Sequence, residues 1–218
     1  MIQAMKKRVG RRRELIKRLN EEWRPEYSRY TSRARKRPSL PLRTLLERVP
    51  LPKNIKILDL GTGQWGKDVQ TLRELGYEAY GYDPYWPPWN DESVLKPNAY
   101  DVVTNFYVLN VLIPEERPGV IKNAWMLLKP GGKLYVAVRD ISDTSIPKSA
   151  KKAFDGVMYI RRLKGGRKVK VFQKWYTPED LISELTGEKE GFESIKGLFP
   201  IVRVISKSNP LLVEAVKV

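Results

Sequence analysis

The chain has no cysteine and no histidine in 218 residues. Without cysteine there are no disulfides and no thiolate nucleophile, and without either residue there is no Cys/His zinc site. Missing histidine removes imidazole, the usual general base near neutral pH. Any chemistry must come from Asp, Glu, Asn, Tyr, Lys, backbone dipoles or a bound cofactor; no metal site is expected. Long apolar runs are absent too. None approaches the roughly 20 residues that span a bilayer, and the basic N-terminus lacks the apolar core of a signal peptide. A cytoplasmic protein without membrane attachment is expected. Acids are outnumbered by bases, 25 against 41, giving a formal charge of +16. A chain rich in Lys, Arg and Glu with no cysteine would suit a thermophile.

The positive charge is uneven. Fifteen Lys and Arg against four Glu fall within residues 1–43, which points to a polyanionic partner. The plainer reading is a solvated basic helix kept for solubility. Val9, Leu15, Ile16 and Leu19 give residues 1–22 a thin apolar stripe at helical spacing. The chain is long enough for one good core. It divides into a basic N-terminal extension, residues 1–43, and a main domain, residues 44–218.

The main domain alternates strand and helix patterns. After a loop from Tyr27, a helix over Leu42–Val49 ends at Pro50 and Pro52. Strands are predicted at Ile55–Leu60, Glu78–Tyr82, Asp101–Asn105 and Lys133–Arg139, with the apolar run Tyr107–Ile113 continuing beyond the third. Helices are predicted at Lys67–Leu75 and from Pro114 to Leu128. Such alternation argues an α/β fold with a mostly parallel sheet covered on both faces. Val157–Leu163 and Arg167–Phe172 flank Gly165-Gly166 as a two-residue hairpin, an insertion over about residues 155–173. Thr177 caps a helix, with Asp180 as its capping-box acid. Ile201–Ser206 and Leu211–Val218 should form a terminal antiparallel pair.

The chain is organised around Ile55–Gly66, an apolar strand running into Gly61-Thr62-Gly63 and then a helix. Glycines there let the backbone approach a ligand, and the helix start offers unpaired N–H groups. Asp83 follows Gly63 by twenty residues, where an acid can accept both ribose hydroxyls of a nucleoside cofactor. The spacing Gly61-x-Gly63-x-x-Gly66 also fits a dinucleotide fingerprint, which keeps an NAD-dependent oxidoreductase open. Asp59 favours a cofactor bearing an ammonium group, which NAD lacks.

Ile57-Leu58-Asp59-Leu60-Gly61-Thr62-Gly63, Gly81-Tyr82-Asp83 and Leu128-Lys129-Pro130-Gly131-Gly132-Lys133-Leu134 together resemble the class I S-adenosylmethionine-dependent methyltransferases over about residues 50–140. The resemblance implies a Rossmann-like fold and S-adenosyl-L-methionine as cofactor. It also implies a binding set of Asp59, Gly61, Thr62, Gly63, Asp83, Pro84 and Asn105. More narrowly, Gly81–Tyr85, Asn105–Leu112 and Phe172-Gln173-Lys174 resemble phage and DNA-phosphorothioation-associated methyltransferases. One departure stands out. Only seventeen residues separate Asp83 from Asp101, little room for the family's usual intervening strand and its adenine-binding acid.

A sulfonium methyl is already activated, so its transfer needs chiefly positioning, and missing histidine costs little. Missing cysteine excludes thiolate-assisted carbon methylation of pyrimidines, leaving nitrogen or oxygen as acceptor. Amino-methylating nucleic-acid enzymes place a polar residue and then an aromatic one at the end of the fourth strand. Here Thr104-Asn105-Phe106-Tyr107 resembles that order without the prolines, implying catalytic roles for Asn105 as amine acceptor and Tyr107 as stacking ring. The alternative is that the aromatics are core and Asn105 only lines the cofactor pocket. Tyr85, Trp86 and Trp89 are open to stacking on adenine, on a flipped base, or on each other. Arg161, Arg162, Lys164, Arg167, Lys168 and Lys170 gather on the hairpin; with the N-terminal segment they are expected to track phosphates. Methyl transfer to an exocyclic amine of DNA or RNA is the resulting expectation. Protein or small-molecule methylation and non-catalytic nucleic-acid binding are the rivals.

Overall fold

A computed structural model describes residues 25–32, 35–143, 145, 147 and 150–218; the helix expected over residues 1–22 lies outside them. The parallel strands form as the sequence pattern predicts, because each is apolar on both sides. In Lys56–Leu60 (β1), Ile57 faces one side of the sheet and Leu58 and Leu60 the other. Glu78–Tyr82 (β2), Tyr100–Phe106 (β3) and Leu128–Val138 (β4) follow. Lys151–Ala153 (β5), Gly156–Arg162 (β6) and Lys168–Gln173 (β7) form a separate antiparallel sheet. Ile201–Ser206 (β8) and Leu211–Val216 (β9) complete the large one, in the order β2-β1-β3-β4-β9-β8. The first four strands are parallel and β9 and β8 antiparallel, an α/β arrangement of Rossmann-like type. Between Asp83 and β3 there is only a 3-10 turn, Glu92–Val94, among the described residues.

Helices cover both faces. Leu40–Arg48 (α1) and Lys67–Glu74 (α2) bury Leu42, Leu45, Val69 and Leu72 against Ile57 and Val102. Arg117–Leu127 (α3) and Pro178–Thr186 (α4) bury Ile121, Ala124, Leu181 and Leu185 against Leu58 and Val103. Ser39 caps α1 by accepting from the Leu42 N–H at 3.2 Å, so this helix starts three residues before the division drawn at residue 43. No helix among the described residues is long and apolar enough to cross a membrane.

Three local expectations change. The run Tyr107–Ile113 does not prolong β3. Tyr107 donates its N–H to Ala137 at 2.7 Å, turns to a φ of +61°, and a 3-10 turn Leu109–Val111 follows. The hairpin joining β6 to β7 has a longer loop than two residues, since Leu163 N–H bonds to Arg167 across Lys164-Gly165-Gly166. Thr177 does cap α4, accepting from the Asp180 N–H at 3.2 Å, but the Asp180 carboxylate pairs with Lys174 and Lys189. Stronger charges draw it away from the capping box.

Those lysines belong to a buried ionic cluster that fixes the small sheet to the large one. Arg117 of α3, fully buried, pairs with Glu184 of α4 at 2.9 Å and with Asp155 at 2.7 Å. Asp155 lies in the turn between β5 and β6. Lys174, just after β7, reaches Glu184, Asp155 and Asp180. A buried charge that loses its partner is left with its desolvation cost uncompensated. Glu184→Ala is therefore expected to lower the unfolding free energy by about 3–5 kcal/mol in urea titration. Glu78→Ala, which removes the exposed pair with Lys56, should leave the urea midpoint near wild type.

Candidate cofactor and substrate site

The carboxyl ends of β1, β2 and β3 open into a cavity of about 440 Å³, a volume suited to a small ligand. The turn after β1 hangs from the end of β2. Gly61 and Thr62 both donate their N–H groups to the Tyr82 carbonyl, at 2.8 and 3.1 Å, and the Gly63 N–H donates to Asp83 Oδ2 at 2.9 Å. Thr62 closes the turn by donating its hydroxyl to the Asp59 carbonyl at 2.7 Å. Gly61 has φ of +95°, and a Cβ there would stand 2.2 Å from Val108 Cγ2. Gly66 serves differently: a Cβ would fall 2.0 Å from the Trp89 ring, so the third glycine admits an aromatic side chain.

Asp59 is the electrostatic centre of the cavity. Burial raises its carboxyl to about 7, Asp68 and Asp83 add to the shift, and the Thr104 hydroxyl bond and the charge of Arg35 oppose it. Asp68, in the first turn of α2, is held by the Ser39 N–H at 2.6 Å. Sequence reasoning missed Asp68. An acid at a helix start was its one visible signal, and its partner lies 29 residues earlier. Asp83 is also raised by burial, against the N–H groups of Tyr85 and Gly63 and the charge of Arg29.

Asp59, Gly61, Thr62, Gly63, Asp83, Pro84 and Tyr107 all line this cavity. Asn105 does not. Its position in β3 turns it to the α3–α4 side of the sheet, where it is 2% exposed and donates Nδ2 to the Leu60 carbonyl at 3.0 Å. The roles proposed for its side chain, amine acceptor and cofactor contact, are thus not supported by where it lies. Thr104, one residue earlier, faces Asp59. The N-terminal segment supplies a wall the sequence reading did not assign. The 3-10 turn Pro25–Thr31 and the residues after it bring Ser28, Arg29, Thr31, Ser32 and Arg35 to the cavity. Arg29 lies 5.1 Å over the Trp86 ring, and Arg29 Nε and Trp86 Nε1 are buried without a partner. Tyr85 and Trp86 line the cavity, while Trp89 packs beside Gly66 and Gly81.

A Rossmann-like sheet with an acid-bearing glycine turn at its carboxyl edge defines a nucleoside-cofactor protein. A family model described as a methyltransferase domain matches residues 30–195, most of the chain, and the chain belongs to that family. It is an S-adenosylmethionine-dependent methyltransferase. The fold is similar to that of the PH0226 protein from Pyrococcus horikoshii OT3, at 17% identity over 81% of this chain and 88% of that one, with a TM-score of 0.57. It is also similar to an S-adenosylmethionine-dependent methyltransferase from Mesorhizobium loti, at 12% identity over 82% and 98%, TM-score 0.51. A third similar structure, a DhpI-SAM-HEP complex, has 14% identity over 97% and 96%, TM-score 0.51. No curated protein matches the chain.

The residues present fit the cofactor. The buried Asp59 carboxyl, raised to about 7 despite the charge of Arg35, forms no ion pair among the described residues, and an amino-acid ammonium group would supply one. Asp83 offers acceptors for paired hydroxyls, and the orphaned donors Arg29 Nε and Trp86 Nε1 remain for a heterocycle or carboxylate. Binding an ammonium group requires ionised Asp59. Affinity for S-adenosylhomocysteine should therefore rise between about pH 5.5 and 7.5, below the ligand amine's own titration, and Asp59→Asn should flatten the rise in calorimetry. The sign for stability is opposite. Folded Asp59 keeps its proton to about pH 7 while the unfolded residue loses it near 4, so its contribution falls over that interval. The stability difference between Asp59→Asn and wild type should grow correspondingly. Asp83→Ala should abolish cofactor binding, and Gly61→Ala should lower affinity more than tenfold through the Val108 clash.

Proposed function

We propose that this methyltransferase acts on nucleic acid, transferring the methyl group to an exocyclic base amine. One observation carries the reading: the cofactor cavity adjoins a second cleft, of about 550 Å³, bearing Arg35, Lys36, Arg37, Arg43 and Arg139. Its carboxylate, Asp143, is already paired with Arg139 at 3.0 Å. The two cavities share Thr31, Arg35, Tyr107 and Val111. A third cleft, of about 350 Å³, shares Arg139 and Gln173 with the second and adds Arg161 and Arg162 of the hairpin. A basic tract of this kind suits a phosphate chain. Arg167 of the same hairpin lies 5.8 Å over the Tyr30 ring, so hairpin and N-terminal segment flank it together. The narrower resemblance to phage and DNA-phosphorothioation-associated enzymes points the same way.

The cofactor supplies an activated methyl group; the chain has to hold an acceptor beside it and exclude water. Tyr107 stands at the boundary between the two cavities in a backbone conformation that non-glycine residues rarely adopt. That turn carries its ring out of the strand direction and makes it the wall against which a base can lie. Arg35, 5.9 Å over the ring, offsets the Asp59 charge on one side and faces the anion cleft on the other.

Incubation with methyl-labelled cofactor and separated DNA, tRNA, ribosomal RNA and protein, followed by nucleoside mass spectrometry, tests the reading. Label in an N-methylated nucleoside is expected; label confined to protein, or none, would overturn it. Lys36→Ala, Arg37→Ala and Arg43→Ala should each weaken oligonucleotide binding and reduce the salt slope by up to about 0.9 for each phosphate left without its cation. Their affinity for S-adenosylhomocysteine should stay at the wild-type value.

A further inference from the structure

The stretches Asn105–Leu112 and Phe172-Gln173-Lys174 are tied together by hydrogen bonds at Asn110. Its backbone carbonyl accepts from the Lys174 N–H at 2.8 Å and from Gln173 Nε2 at 3.2 Å. Gln173 Nε2 also donates to the Lys174 carbonyl at 2.9 Å. The backbone of the turn is thus held by main-chain and Gln173 hydrogen bonds, and Lys174 is anchored by the ionic cluster behind it. The Asn110 side chain takes no part in this. It is 1% exposed, its Oδ1 is buried without a hydrogen-bond partner, and the residue lines the second cleft beside Tyr107.

A buried acceptor without a donor costs free energy, and an apolar residue of the same size avoids that cost. Flanked by Leu109 and Val111, position 110 has no structural need for an amide. The buried amide oxygen of Asn105 is also unpartnered, but its Nδ2 is tied to Leu60 and it lines neither cavity. Of the two, Asn110 is the one whose residue lines a cleft.

We propose that Asn110 Oδ1 accepts an N–H of the exocyclic amine to be methylated, placing an amine-bearing base in the second cleft against Tyr107 with its phosphates on the arginine rim. The assignment rests on the nucleic-acid reading above and names the residue that reads the base. A neutral acceptor suits the chemistry. Holding one N–H orients the nitrogen lone pair, which forms the new N–C bond as the methyl's bond to sulfur breaks and returns its electron pair to sulfur. The surplus proton then leaves the product nitrogen for water in the open cleft, so no imidazole is needed. Bases with a carbonyl at that place bring an acceptor against an acceptor and are rejected.

The test compares binding of fluorescent twelve-nucleotide homopolymers, as DNA and as RNA, to the full chain with S-adenosylhomocysteine. Adenine is set against hypoxanthine and cytosine against uracil, each pair differing by amine for carbonyl. Wild type should bind at least one amine-bearing polymer more than tenfold tighter than its carbonyl counterpart. Asn110→Leu and Asn110→Ala should lose that preference while keeping salt-dependent affinity, cofactor affinity and, for Leu, a melting temperature at or above wild type. Equal binding within both pairs, or a preference that survives both substitutions, overturns the role of Asn110 and leaves the nucleic-acid reading intact. Absence of salt-dependent binding to every polymer overturns that reading, and this one with it. The base comparison needs no variant, so a substitution that fails to fold does not shield the proposal.

Discussion

Three hydrogen bonds at the edge of the sheet organise the molecule. Gly61 and Thr62 donate to the Tyr82 carbonyl, and Gly63 donates to the Asp83 carboxylate. They lock the glycine turn after β1 to the end of β2, so the turn cannot swing without breaking the last rungs of the parallel ladder. Because the Gly63 N–H is spent on Asp83, that acid is positioned by the glycine turn itself. Parallel pairing makes this possible: β1, β2 and β3 all end on one side, and their free ends leave a crevice of the type in which open α/β sheets bind ligands.

Burial around that edge then sets the electrostatics. Asp59 and Asp68 sit close together below the turn, and the cationic side chain influencing Asp59 is Arg35, from outside the sheet. The N-terminal segment is therefore part of the cavity. It walls the ligand site with Ser28, Arg29 and Ser32 and supplies Arg35, which belongs to both clefts. The two clefts share this charged side chain, so a charge bound in one alters the field in the other.

The parts legible in sequence were those governed by local pattern. β2 has the bounds its alternation predicts, Thr177 caps the helix it precedes, and the spacing from Gly63 to Asp83 corresponds to a hydrogen bond in the fold. What escaped depended on distant partners. β5, Lys151–Ala153, is too short and too polar to show a period, and exists because β6 pairs with it. Arg29 and Arg35 read as part of a charge run, since composition does not say which bases of a run face a cavity. Asn105 was placed by analogy of order along the strand. Strand parity decides its direction: with Asp59 paired to Thr104, the next residue faces the other side of the sheet. Where β3 ends, at the left-handed Tyr107, follows from its bond to Ala137 in a neighbouring strand.

The missing histidine and cysteine acquire a structural counterpart at this point. An enzyme that activates its acceptor by removing a proton needs a titrating base within reach. In the second cleft the acid is Asp143, and it is neutralised by Arg139. What the cleft offers are cations at the rim, an aromatic ring at the boundary and an amide oxygen at Asn110. Cations hold phosphates without distinguishing bases, and a ring stacks on any base. A buried acceptor in a fixed place favours an amine over a carbonyl, and it does so at the expense of the unliganded fold. On the proposed reading the labour divides: affinity from charge, orientation from Tyr107, and choice of base from the amide of Asn110, whose main-chain carbonyl is held by the Lys174 N–H and the Gln173 side chain.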